Sequence, residues 1–267
     1  MKLYFSLFRI RFINGLQYRT AALAGIVTQF AFGFGFISMY LAFYRTNPSA
    51  IPMELSQLVS YIWVQQAFIM LFVTSFFEGD IFTAITSGQI VYELARPMDL
   101  YNKWFCQCVA SRLSKAILRC FPILIAAAML PDPYKLTFPP DIAQFSLFLL
   151  SSVLTLGVVV SFGMLIYIAT FYTMSPLGVR IIAAAFADFM AGSTVPLPFF
   201  PEGFRKAAEL LPFAAMQNIP LRIYSRNISG FDAFSAILLQ LFWLVALFIS
   251  GKIWMNSTLK KVILQGG

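Results

Sequence analysis

The sequence predicts an all-α, polytopic membrane protein of a single membrane domain, and three observations carry that expectation. Of its 267 residues, 60% are hydrophobic and only 11% are charged, against about 25% charged in an ordinary soluble domain. Six apolar segments, at about 21–44, 57–77, 110–130, 143–170, 179–198 and 233–255, approach or exceed the roughly 20 residues that a helix needs to cross the hydrocarbon core. Basic residues collect at the ends of those segments. Threading the six in alternation puts thirteen of the nineteen Lys and Arg residues on the side of the N-terminus, which sets both termini in the cytoplasm. The formal charge of +8 is thereby accounted for by topology and anionic membrane lipid. No nucleic-acid partner is expected, because no basic stripe lies beside room for base stacking.

Met1 to Thr20 carries Lys2, Arg9, Arg11 and Arg19, no acid, and Leu3, Leu7, Ile10 and Phe12 among them. It has neither the compact apolar core of about 7–15 residues nor the small-residue cleavage site of a signal peptide. Residues 1–20 therefore read as an interfacial helix, and residues 21–267 as one six-span domain.

Between the second and third segments, Phe76 to Lys103 (FFEGDIFTAITSGQIVYELARPMDLYNK) holds four of the eleven acidic residues, Glu78, Asp80, Glu93 and Asp99. Such a stretch cannot lie in lipid. Asp80 to Ser87 is predicted to be a short helix with Asp80 as N-cap, Ile81, Ala84 and Ile85 along one side and Gly88 closing it. Ile90 and Leu94 then alternate with polar neighbours until Arg96-Pro97 ends the run. The segment 78–103 is thus a cytoplasmic amphipathic knuckle. Its apolar face (Ile81, Ile85, Ile90, Leu94) and its charges (Glu93, Arg96) are expected to meet a partner protein as core and rim.

In the third segment Arg112, Lys115 and Arg119 share one helical face. Arg112 and Lys115 read as snorkelling toward inner headgroups. Arg119 lies deeper, and a kink is expected at Pro122. Asp188 in the fifth segment stands eight residues past Arg180, about 12 Å along a helix, and a carboxylate at that depth requires a partner. Arg119 is the first candidate by depth, with Gln65 and Gln66 of the second segment next. Cys106, Cys108 and Cys120 are odd in number and imply no disulfide framework. No metal site is expected, and with no His in the chain a Ser/His/Asp triad and His-ligated metals are excluded.

Val195 to Asp232 is too polar for a seventh span and too apolar for a free loop. Pro201 can open a short helix that Pro212 closes, with Phe204, Ala207, Ala208 and Leu211 along one face. The segment 195–232 reads as a re-entrant helix dipping into the outer leaflet, or as a surface connector. No G-x-x-x-x-G-K-[ST] run occurs, since Gly251-Lys252 is followed by Ile253, so the chain holds no phosphate loop for ATP.

Ser87 to Phe105, SGQIVYELARPMDLYNKWF, is similar to the second cytoplasmic segment of bacterial type-2 ATP-binding-cassette permeases, with Gly88, Ile90, Leu94, Arg96, Pro97, Met98 and Asp99 filling the family's positions. Pro196 to Phe213, PLPFFPEGFRKAAELLPF, followed by Pro220 and Ile223-Tyr224, resembles the family's outer pattern before the last span. The two matches lie in order, so the resemblance covers nearly the whole chain. It implies a permease subunit of an exporter in the bacterial cytoplasmic membrane, paired with a second six-span permease that is a relative or another copy. Two separately encoded ATPase subunits would bind ATP and Mg, leaving this chain with no cofactor and no catalytic residue of its own. Asp80 to Pro97 would be the coupling segment, and Phe200, Pro201, Phe204, Leu211 and Pro212 an outer gate helix. The cargo implied is hydrophobic or amphiphilic. Two other classes stay open: a non-catalytic membrane scaffold or assembly subunit, and an intramembrane enzyme, which the lack of His and of paired intramembrane acids opposes.

Overall fold

The computed structural model describes residues 2–46 and 52–261, so the expected domain runs on into 262–267, outside the described residues. It is all-helical, with no strand among those residues. The order is α1 Lys2–Leu16, α2 Arg19–Thr46, α3 Leu55–Ala67, α4 Ile69–Phe72, α5 Gly79–Thr86, α6 Ile90–Leu94, α7 Leu100–Ala128, α8 Ile142–Thr173, α9 Pro176–Ala191, α10 Glu202–Leu210, α11 Asn218–Tyr224 and α12 Gly230–Leu259.

Three helices, α2, α8 and α12, are long and apolar enough to cross a membrane. The other three apolar segments are helical but differ from the expectation, each for a local reason. The 57–77 segment breaks at Phe68, where the backbone leaves helical geometry between α3 and α4; thirteen residues of α3 rise only about 20 Å. The 110–130 segment is the second part of α7, whose apolar run is interrupted by Arg112, Lys115 and Arg119; the helix continues through Pro122 to Ala128. The 179–198 segment supplies a helix of 16 residues, about 24 Å at helical rise, ended by Gly192 in the left-handed region.

α8 is the central element, packed against α4, α5, α7, α9, α11 and α12. It starts where Asp141 accepts a hydrogen bond from the Gln144 backbone N–H, a side-chain N-cap. A polar knot ties its middle to α12 and to the tight turn at Ala214–Met216. Ser151 donates to Gln240 Oε1 at 2.7 Å, Gln240 Nε2 donates to Thr155 Oγ1 at 2.9 Å, and both Gln240 Nε2 and Thr155 Oγ1 donate to the Ala215 carbonyl at 3.0 Å. Inter-helix hydrogen bonds of this kind fix helix register where the apolar surroundings cannot. Around it, Trp63, Trp104, Tyr61, Tyr101 and Tyr167 fill the core with less than 2% of their surface exposed.

α1 lies along α7, and the approach is close: a Cβ on Gly15 would come within 2.0 Å of Ser114 Oγ. Its outer side keeps Leu3, Phe5, Ile10 and Ile13 exposed beside the charged Lys2 and Arg9.

Candidate functional site

The predicted knuckle forms, with its helix starting one residue and its cap two residues earlier than expected. α5 covers Gly79–Thr86 with Glu78, not Asp80, in the cap position, and Gly88 at φ +75° makes the reversal into α6, a conformation that costs glycine little. Arg96, Pro97 and Gly88 are exposed, as expected.

The apolar face is another matter. Ile81, Ile85 and Ile90 are 2%, 4% and 3% exposed and belong to the chain's own core, with α5 seated on α8. They do not form a surface for a partner, because a short helix this apolar on one side is covered first by the helices of its own chain. Glu93 likewise turns inward. Its Oε1 lies 2.7 Å from Lys103 Nζ, and its Oε2 accepts from Trp104 Nε1 at 2.6 Å, so it anchors α6 to α7 rather than standing free at a rim. What remains outside is Thr83, Thr86, Ser87, Gln89, Val91, Tyr92 and Leu94, with Tyr92 75% exposed. Asp80 is exposed beside Arg11 of α1, at 3.6 Å. Of the expected contact face, Leu94 alone stays accessible.

The root of the knuckle is the non-helical connector 73–78, and three helices hold it. From α7, the buried Arg112 donates through Nη1 to the carbonyls of Met70 (3.1 Å) and Val73 (2.8 Å), and through Nη2 to that of Phe76 (2.6 Å). From α9, Asp188 Oδ1 accepts from Thr74 Oγ1 at 2.7 Å and from its backbone N–H at 3.4 Å. From α8, the Tyr167 hydroxyl accepts the Glu78 N–H at 2.6 Å. The Phe76 ring lies under Arg112 and Lys115, with Lys115 Nζ 4.0 Å from its centroid. These bonds satisfy the backbone N–H groups of Thr74 and Glu78 and the carbonyls of Val73 and Phe76 from within the protein.

The expected pairing of Asp188 with Arg119 does not occur. Arg119 stands seven residues beyond Arg112, about 10.5 Å along α7, and its guanidinium faces α2 instead, donating to the Ala21 carbonyl at 3.5 Å over Gly25. The Arg112 side chain and the connector occupy the space between α7 and Asp188. Arg112, read from the sequence as snorkelling, is fully buried and structural. Gln65 also misses Asp188: its Nε2 donates to the Ser193 carbonyl at 2.7 Å, just past α9. Gln66 is buried with Oε1 unpartnered among the described residues.

Between Pro201 and Pro212 a short helix forms, α10 running Glu202–Leu210, but the predicted apolar face is not kept: Leu211 is extended beyond the helix end, and of Phe204, Ala207, Ala208 and Leu211 only Ala208 is buried. Phe200 and Phe204 contact each other (5.2 Å between ring centroids) and Phe189 at the end of α9 (5.6 and 6.1 Å). Trp243 of α12 donates to the Leu210 carbonyl. The three thiols are free, and no cluster of metal ligands exists among the described residues.

No family model, curated protein or solved structure matches this chain.

Proposed function

We propose that the chain is the membrane permease subunit of an ATP-driven exporter, with the exposed tip of the knuckle receiving force from a separate ATPase. Six crossings are assigned to α2, α3 with α4, the second part of α7, α8, α9 and α12, with both ends cytoplasmic and the membrane that of a bacterial cell. The observation that carries the reading is the coupling geometry. A solvent-exposed tip is continuous with a connector fixed to α7 by Arg112, to α8 by Tyr167 and to α9 by Asp188, so displacement of the tip is transmitted to three helices at once. The resemblance of residues 87–105 to permease coupling segments supports it, as does the absence of a phosphate loop in the sequence. Amphiphilic or hydrophobic cargo would pass between this subunit and a second permease, a relative or another copy.

The test is purification of the tagged chain from its native membrane, scored for a retained ATPase with a phosphate-binding loop and for ATP hydrolysis. Tyr92→Asp with Leu94→Asp, both on the exposed side, is expected to leave the chain inserted and folded and to reduce the retained ATPase at least about tenfold, as loss of an interface anchor does. Undiminished ATPase in the double variant would remove the tip as the docking point; absence of any ATPase from wild type would remove the proposal.

A further inference from the structure

We infer that the outward face of α1 docks on an anionic bilayer surface, and that through α1 the charge of that surface reaches the knuckle. The docking stands on its own; its effect on the knuckle deepens the coupling role proposed above and rests on it. α1 runs through a turn at Gln17 and Tyr18 into α2, which is of membrane-crossing length. One side of α1 faces the knuckle. Tyr4 and Arg11, seven residues apart and so on one face, reach its two ends: the Tyr4 hydroxyl accepts the Asp99 N–H at 3.1 Å, and Arg11 Nη1 is 3.6 Å from Asp80 Oδ2. Lys2 and Arg9 are also seven residues apart, and each stands two residues before its counterpart, which turns them about 160° round the helix from that face. Both are exposed, and neither has an ion pair among the described residues. Leu3, Phe5, Ile10 and Ile13 flank them with between 44% and 71% of their surface exposed.

Charge and apolar surface on one face select the partner together. A soluble anion would leave the four apolar side chains in water, and a neutral lipid surface would leave the two cations without counter-charge. An anionic bilayer surface answers both. α1 carries no Asp or Glu, and the two acids that approach it, Asp80 and Asp99, do so from the knuckle. Along the same helix an open groove of about 610 Å³ runs against α7, lined by Lys2, Tyr4, Phe5, Phe8 and Cys106. The Cys106 thiol donates to the Tyr4 carbonyl at 3.4 Å and the Tyr4 hydroxyl takes the Asp99 N–H. Lys2 is then the one polar side chain of the lining left free, and the groove becomes an aromatic trough with a single cation, suited to an acyl chain beneath an anionic head. Lipid on one side and the two ends of the knuckle on the other hold α1 between them, so seating α1 on the leaflet steadies both ends of the knuckle.

The test uses the full chain in phosphatidylcholine nanodiscs that carry photoactivatable phosphatidylglycerol or photoactivatable phosphatidylcholine at equal mole fraction, with labelled peptides mapped by mass spectrometry. Residues 2–16 should label preferentially from phosphatidylglycerol, by up to about thirtyfold, since each of two cations at the surface contributes about a factor of five. Labelling at the exposed Phe242 and Val245 of α12 should not depend on the head group. Lys2→Gln with Arg9→Gln should remove the preference, and Lys2→Arg with Arg9→Lys should keep it. Hydrogen exchange reads the knuckle: amides of Gly79–Leu94 should exchange about threefold or more slowly when phosphatidylglycerol is present. Tyr4→Phe with Arg11→Gln should abolish that slowing and leave the labelling preference intact. The docking is overturned by equal labelling from the two lipids or by a preference that survives Lys2→Gln with Arg9→Gln. Labelling of residues 2–16 from neither lipid overturns it too, and would put another protein chain over the face. Knuckle exchange indifferent to lipid charge overturns the link to the knuckle. No ATPase takes part, so these results and the pull-down fail independently.

Discussion

Asp188 sits within α9, yet what answers it is a hydroxyl and a backbone N–H from the single residue Thr74 rather than a cation. Two donors from one residue satisfy a carboxylate oxygen without immobilising a long charged side chain. The expected outcome of double-mutant cycles follows. Thr74→Val and Asp188→Asn should be coupled by about 0.5–3 kcal/mol, whereas Arg119→Gln and Asp188→Asn should be additive within about 0.5 kcal/mol, both read from denaturant unfolding in mixed micelles. Coupling of Arg119 to Asp188 at the larger value would restore the pairing that depth along the helices implies. Depth was legible in the sequence and azimuth was not. Asp188 announced itself as a charge needing a partner, but Thr74 is uncharged and sits at the end of an apolar run, and nothing in its spacing distinguishes it. Arg112 was visible as a charge on one helical face with Lys115 and Arg119, while the carbonyls it binds are free to accept only because the backbone leaves helical geometry after Phe72.

At the scale of elements, the knuckle's amphipathicity was legible, as were the Gly88 reversal and the stop at Arg96-Pro97. Which body covers the apolar side was not, because periodicity gives a face and not its neighbour. Ile81, Ile85 and Ile90 meet the chain's own helices, and the exposed side is polar apart from Val91, Tyr92 and Leu94. Ile85→Asp should therefore destabilise the chain itself by roughly 3 kcal/mol or more, a buried unpaired carboxylate, while Thr86→Asp on the opposite side should stay within about 0.5 kcal/mol. Thermal unfolding followed by circular dichroism in detergent separates the two; equal stability of both variants would place Ile85 at a surface. The break at Phe68 escaped sequence reading for a similar reason: the residues on either side are apolar and carry neither Gly nor Pro to mark it.

For the whole molecule, composition gave the all-helical membrane class and the order of apolar segments, since lipid demands length and apolarity that any reading of the chain can measure. Where the shorter helices α3, α4 and α9 lie relative to α2, α8 and α12 depends on packing, which composition does not encode. The proposed threading makes a direct prediction. In a background with Cys106, Cys108 and Cys120 replaced by serine, a single cysteine at Asp132 should react with an impermeant maleimide applied to intact cells. Ones at Ser87 and Lys261 should react only after the membrane is opened. Labelling of position 87 from outside would invert the topology and with it the proposed docking side.

The Arg112 clamp also bears on how the protein is made. The carbonyls of Met70, Val73 and Phe76 leave the ribosome 42, 39 and 36 residues ahead of the guanidinium that binds them. Until α7 has been synthesised, that stretch of backbone has no arginine to bond it, and bare carbonyls are not tolerated in hydrocarbon. In the threading proposed above, the first two crossings therefore do not reach their final seat one at a time as they emerge. That threading requires the nascent chain to keep Met70 to Phe76 near water or within the insertion machinery until α7 arrives, so that the early segments mature together with it.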